Sequence, residues 1–159
     1  MIIRPAVLVD ATAMTALQNE IIRIGGTTAY EQPRSVAEVA ESYITGAGVI
    51  SCQVAEGDGD LIGFQVVGHW HGLPEGWADI GTFVQPRLQA RGIGAALFAA
   101  SVAVARGAGL RVLNATIRAD NIPGLAYYAR RGFVDYAAHP DWALADGRKV
   151  GKVSRQFDL

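Results

Sequence analysis

Residues 77–107 contain the junction that most limits how this chain can fold. The run Trp77-Ala-Asp-Ile-Gly-Thr-Phe-Val84 reads as a strand and is stopped by Pro86, which has no N–H to give a central ladder. A polar piece carrying Arg87, Gln89 and Arg91 follows. Gly92 and Gly94 then stand one residue apart. Beyond them Ile93, Ala96, Leu97, Ala100 and Val104 recur on one helical face until the "GAG" at 107–109. The chain must therefore turn from a strand through bare backbone into a helix. That helix mouth carries N–H groups with no partner inside the helix and roughly half a positive charge.

Such a corner suits an anion. Glycines let it approach the backbone, and arginines add charge-assisted hydrogen bonds. Two familiar phosphate loops do not fit. The P-loop requires Gly-Lys-Ser/Thr, which is missing here, and the dinucleotide fingerprint requires a third glycine where Leu97 stands.

Around this corner the pattern alternates regularly. "MIIRPAVLV" reads as a strand, and Asp10 or Thr12 as the cap of a helix bearing Met14, Leu17, Ile21 and Ile24. Ser35 with Glu38 forms a capping box ahead of a second short helix. "GVISCQVAE" and "LIGFQVVGHW" read as strands joined by the turn "GDGD". After the central helix come a strand "LRVLNATI", a helix with Pro123 in its first turn and Gly132 at its end, and two last strands. The order is β-α-α-β-β-β-α-β-α-β-β. No repeat or linker interrupts it, so one domain over residues 1–159 is expected. The net charge of −1 argues against nucleic acid and anionic membrane as partners. No apolar run reaches the roughly 18 residues of a membrane span. With one cysteine, Cys52, and no signal-like N-terminus, a cytoplasmic protein is expected.

Gln89-Ala90-Arg91-Gly92-Ile93-Gly94 resembles the Q/R-x-x-G-x-G/A pyrophosphate loop of the GNAT acyltransferase superfamily. The segment from Asn121 through Tyr128 to Gly132-Phe133 is similar to that family's second signature, and the strand order is similar throughout. The branch it looks like is that of the phosphinothricin and L-amino-acid N-acetyltransferases. The phosphinothricin branch often has histidine where Tyr128 stands, whereas tyrosine is the wider superfamily's choice. The resemblance implies an α/β (α+β) GNAT fold. Its central, mixed, mostly antiparallel and twisted sheet has about seven strands, with strands 4 and 5 splayed and helices on both faces.

The resemblance also implies acetyl-CoA as cosubstrate, with no metal, and a small primary amine as acceptor, held in one ternary complex. Phe83 and Val84 would pair with the pantetheine arm and polarise the thioester carbonyl. Arg87, Leu88, Gln89, Arg91, Gly92, Gly94 and Ala95 would hold the pyrophosphate, and Asn121 would touch the arm. Tyr128 would donate a hydrogen bond to the leaving sulfur, since a phenol stays protonated at neutral pH. Tyr127 is expected to pack. Asp79 would serve as base, directly or through a water. A homodimer is expected by resemblance.

Other groups compete for roles. His69 and His71 share a strand face and would line the acceptor pocket; either histidine also rivals Asp79 as base. Tyr30, Glu31, Trp77 and Trp142 would shape the acceptor site or a dimer interface. Their spacing brings no third metal ligand at a telling distance. Cys52, between apolar neighbours, is expected to be a buried hydrophobe. Polyamines, aminoglycosides and protein N-termini stand as alternative acceptors. A CoA-binding module without turnover stands as the alternative of another class.

Overall fold

The computed structural model of the protein describes residues 1–70, 72–89 and 91–159. Strand β1 (Ile2–Pro5) is shorter than the sequence suggests. A 3₁₀ turn follows at Leu8–Asp10 because Asp10 pulls the chain back. Its carboxylate accepts the Val7 N–H at 2.7 Å and is gripped by Arg4 through two bonds of 2.8 Å. These bonds, with the Arg4 contribution largest, hold the Asp10 carboxyl below its usual range. Asp10 is thus committed to Arg4 and does not cap helix α1 (Ala11–Ile24) with its side chain. Met14, Leu17 and Ile21 of α1 are buried as their spacing predicts, while Ile24 at the last turn is exposed. Helix α2 (Val36–Ala40) opens on the expected box, with the Glu38 N–H donating to Ser35 Oγ and the Ser35 N–H to the Glu38 carboxylate.

Strands β2 (Val49–Gly57) and β3 (Asp60–Gly68) form a hairpin across Asp58-Gly59. Both turn residues have positive φ, 53° and 85°, as this tight turn requires. Strand β4 (Trp77–Val84) leads to helix α3 (Ile93–Gly107), and β5 (Val112–Arg118) to helix α4 (Ile122–Arg130). Strands β6 (Val134–His139) and β7 (Lys152–Asp158) complete one seven-stranded sheet of order β1-β2-β3-β4-β5-β7-β6. All neighbours are antiparallel except β4 and β5.

The sheet is covered on both faces. Neighbouring residues of β3 point to opposite sides: Val66 joins Met14, Leu17 and Tyr43, while Val67 joins Phe98, Val102 and Tyr128. Cys52 is buried in the first of these clusters, where desolvation pushes its thiol up to about 12. The buried face of α3 is centred on Leu97, Phe98, Ser101 and Ala105, one step round from the predicted stripe, which leaves Val104 exposed. The aromatic Phe98, packed on Phe133 and Phe157, sets this rotation. No helix among the described residues is long and apolar enough to cross a membrane.

Candidate active site

The sheet opens at one point. β3 stays paired with β4 as far as Gly63↔Val84, whereas β5 leaves it after Asp79↔Asn114. Residues 80–84 therefore run along the fork with one edge turned toward the gap. A cavity of about 640 Å³ occupies the fork, lined by β4, by the start of α3, by α4 and by the loop after α1. Parallel pairing demands a crossover, here α3, so the fork and the helix mouth beside it arise from one connection.

The glycines of the corner have separate jobs. Gly92 caps α3 in the left-handed region, φ 82°, which L side chains avoid. Gly94 lets α4 approach: a Cβ there would stand 2.7 Å from Cε2 of Tyr127. The Tyr127 hydroxyl donates to the Gly94 carbonyl at 2.8 Å and accepts from Gln65 Nε2 at 3.1 Å. Tyr127 thus lines the cavity as a polar strut, not merely as the packing residue its helix position suggested.

Tyr128 is buried within the α3–α4 core, its ring 4.9 Å from that of Tyr127 and 5.0 Å from Phe133. Its hydroxyl shares a 2.9 Å hydrogen bond with Thr82 Oγ1 on β4. Desolvation raises both phenols above the ordinary tyrosine value, so each stays protonated. Asp79 is buried on the other face of β4, since Ala78, Ile80 and Thr82 alternate with it. Asn114 Nδ2 donates to its Oδ1 at 2.8 Å, and the Tyr136 hydroxyl donates to Asn114 Oδ1. The Asp79 carboxylate, which accepts, fixes which way the Asn114 amide faces, and the amide oxygen then takes the Tyr136 hydrogen. The fork cuts through the sheet, so Asp79 and Tyr128 reach one cavity from opposite faces.

The far end of the cavity is built from long-range ties to the loop 25–34. Asn121 Nδ2 donates to the Thr27 carbonyl at 2.9 Å, while its Oδ1 accepts the Gly124 N–H and caps α4. Arg118 donates to the Thr28 carbonyl at 3.1 Å and is clamped twice by Asp120. Glu31 accepts the Ala145 N–H at 3.0 Å. Arg34 lies 4.4 Å over the Tyr30 ring and donates to Tyr43, Ser42 and Gln18.

A model of the acetyltransferase (GNAT) family matches residues 18–133. The chain belongs to the GNAT acetyltransferase family. Mycothiol acetyltransferase of Clavibacter michiganensis is 39% identical over 91 residues, 57% of this chain and 28% of that one. The chain thus spans about a third or less of the curated mycothiol relatives it matches. The L-methionine sulfoximine/L-methionine sulfone acetyltransferase of Pseudomonas aeruginosa is 26% identical over 99% of this chain and 94% of its own. A GNAT superfamily phosphinothricin acetyltransferase from Sinorhizobium meliloti, solved with AcCoA, superposes with TM-score 0.88 at 25% identity, covering 99% and 88% of the two chains.

Of the positions singled out in the sequence, the GNAT cavity brings together Asp79, Tyr128, Phe83, Val84, Leu88, Gln89, Gly94, Asn121 and Tyr30. Arg87 and Arg91 are exposed at the corner, with Gly92 and Ala95 beside them; Arg87 Nε donates to Gln85 at 3.2 Å. Glu31 supports the loop from outside. His69 is exposed beyond the end of β3, and Trp77 packs edge-on against Tyr136, so neither lines the cavity. His71 lies outside the described residues. Trp70, between the two histidines, does line the cavity and meets Tyr43 edge-on. Sequence reasoning missed Gln65, Thr82 and Trp70. A glutamine at the centre of an apolar strand was the one signal that pointed to a buried polar site.

Proposed function

We propose that this chain transfers the acetyl group of acetyl-CoA directly to the primary amine of an amino acid or close analogue. The observation that carries this reading is the parting of β4 from β5 at Asp79 beside the glycine-led mouth of α3. The residues fit the donor. The open edge at Phe83 and Val84 suits an extended amide-bearing arm, and the first turn of α3 suits its pyrophosphate. The acceptor class rests on the likeness to the methionine sulfoximine and phosphinothricin enzymes. Arg118, Arg130 and Lys152, which line the same cavity, favour an acceptor that carries a carboxylate.

In this reading Asp79 takes the proton that the ammonium must lose before nitrogen attacks, directly or through a water. Asn114 keeps its carboxylate aimed. The Val84 backbone N–H, on the β4 edge that does not pair with β3, stabilises the oxyanion as the carbonyl is attacked. Tyr128 donates a hydrogen bond to sulfur as the C–S bond breaks. A phenol so reluctant to ionise stabilises the thiolate without parting fully from its proton, and solvent protonates the released thiolate.

By family resemblance the working unit is a homodimer in the cytoplasm. Sedimentation that reports a monomer at micromolar concentration would remove the dimer. The test of function is release of the CoA thiol from acetyl-CoA with the twenty amino acids, methionine sulfoximine, phosphinothricin, polyamines and aminoglycosides. Turnover confined to amines bearing an acidic group supports the reading; turnover confined to polycations contradicts it.

A further inference from the structure

Gln65 is wholly inaccessible to solvent, yet it joins three walls of the cleft. Its Nε2 donates to Thr82 Oγ1 on β4 at 2.8 Å and to the Tyr127 hydroxyl on α4 at 3.1 Å. Tyr127 in turn donates to the Gly94 carbonyl in the first turn of α3. Its Oε1 has no hydrogen-bond partner among the described residues.

The alternative orientation of this amide fails on hydrogen counting. Turned over, its oxygen would face both hydroxyls and draw the Tyr127 hydrogen away from Gly94. Two buried N–H groups would then lack acceptors. In the orientation found, both hydroxyl oxygens accept from Gln65, and each must send its own hydrogen elsewhere. Tyr127 sends its hydrogen to Gly94. Thr82 lies within reach of both tyrosine hydroxyls; the Tyr127 oxygen already accepts from Gln65, which leaves the Tyr128 oxygen, at 2.9 Å, for the Thr82 hydrogen.

We propose that Gln65, acting through Thr82, fixes the direction of the Tyr128 hydroxyl, so that its hydrogen points into the cavity and its lone pair points back at Thr82. This rests on the reading of Tyr128 as the donor to the leaving sulfur. Without the Gln65 amide, Thr82 could accept from Tyr128 instead, and the phenol would turn lone pairs toward an anionic sulfur. Gln65 and Thr82 are then positioning residues for the group transfer. As the C–N bond forms and the C–S bond breaks, the electron pair passes to sulfur and meets the Tyr128 hydrogen, while the amine proton leaves through Asp79. No further reactant is required.

The test is a double-mutant cycle on Thr82→Val and Tyr128→Phe, with Thr82→Ser, Gln65→Met and melting temperatures alongside. Tyr128→Phe should lower kcat by about 10²-fold or more, the scale of a lost proton donor. Thr82→Val and Gln65→Met should each lower kcat on the order of tenfold, with the KM for acetyl-CoA held within about twofold, as loss of a group felt only in the transition state requires. Thr82→Ser should restore the rate, and Thr82→Val should cost nothing further in the Tyr128→Phe background. If Thr82→Val does not fold, Thr82→Ala is expected to give the same pattern. Additive losses, or a raised KM with kcat intact, would overturn the positioning role while Tyr128 stands. An undiminished kcat in Tyr128→Phe would instead overturn the donor reading and, with it, this inference.

Discussion

The two ends of the cleft are built on different principles. At the fork and the α3 mouth the groups proposed to work are mostly backbone: the β4 edge at Phe83 and Val84, and the N–H groups behind Gly92 and Gly94. At the other end they are side chains tied across the chain. Asn121 reaches Thr27, Arg118 reaches Thr28, and Glu31 holds Ala145. Under the proposed function the first end would serve any CoA thioester, and the second would shape the acceptor pocket. Donor recognition would then sit in the crossover and acceptor recognition in the packing of one loop.

The comparison breaks most easily at the chemistry between the ends. Asp79→Asn should lower kcat by about 10²-fold or more while acetyl-CoA binding by calorimetry stays unchanged. A lost cofactor affinity would mean that Asp79 belongs to the donor end. Arg118→Met should raise the amine KM by about tenfold, the scale of one charge-assisted contact, and leave the acetyl-CoA KM within about twofold. Equal shifts in both would mean that the two ends are not separable. Gly94→Ala should act the other way, since its new methyl must displace the Tyr127 ring. We expect an overpacking loss of about 1–3 kcal/mol in denaturant unfolding and a weaker acetyl-CoA complex, with the amine KM little moved.

The smallest expected effect is on pH. Burial raises Tyr127 and Tyr128, so their protonated forms persist above the ordinary tyrosine value. The kcat profile should therefore show no alkaline fall due to these phenols up to about pH 10. For stability the sign is fixed: the contribution is full below the unfolded value of about 10 and is lost above it, where the unfolded chain ionises and the buried phenols resist. Thermal unfolding from pH 8 to pH 11 would reveal it.

The fork end was legible in the sequence because backbone chemistry leaves glycine and proline marks in one local stretch. Pro86, Gly92 and Gly94 named the corner, and the element order named the sheet. The loop end was less legible. Trp77 looked like a pocket residue yet packs on Tyr136, and Trp70 lines the cavity instead, because a strand end does not reveal which side chain turns inward. Asp10, read with Thr12 as one of two possible helix caps, is claimed by Arg4 instead. The roles of Gln65 and Thr82 depend on Tyr127 and Tyr128, which are far away in sequence, and no periodicity reports a hydrogen bond across that distance.

The central claim is that acetyl-CoA occupies the fork between β4 and β5. Hydrogen exchange with and without acetyl-CoA tests it at the residues concerned. Bound acetyl-CoA should add protection at 80–84 and at the first turn of α3, with β1 and β6 unchanged. Protection confined to other segments, or none at saturating acetyl-CoA, would contradict it.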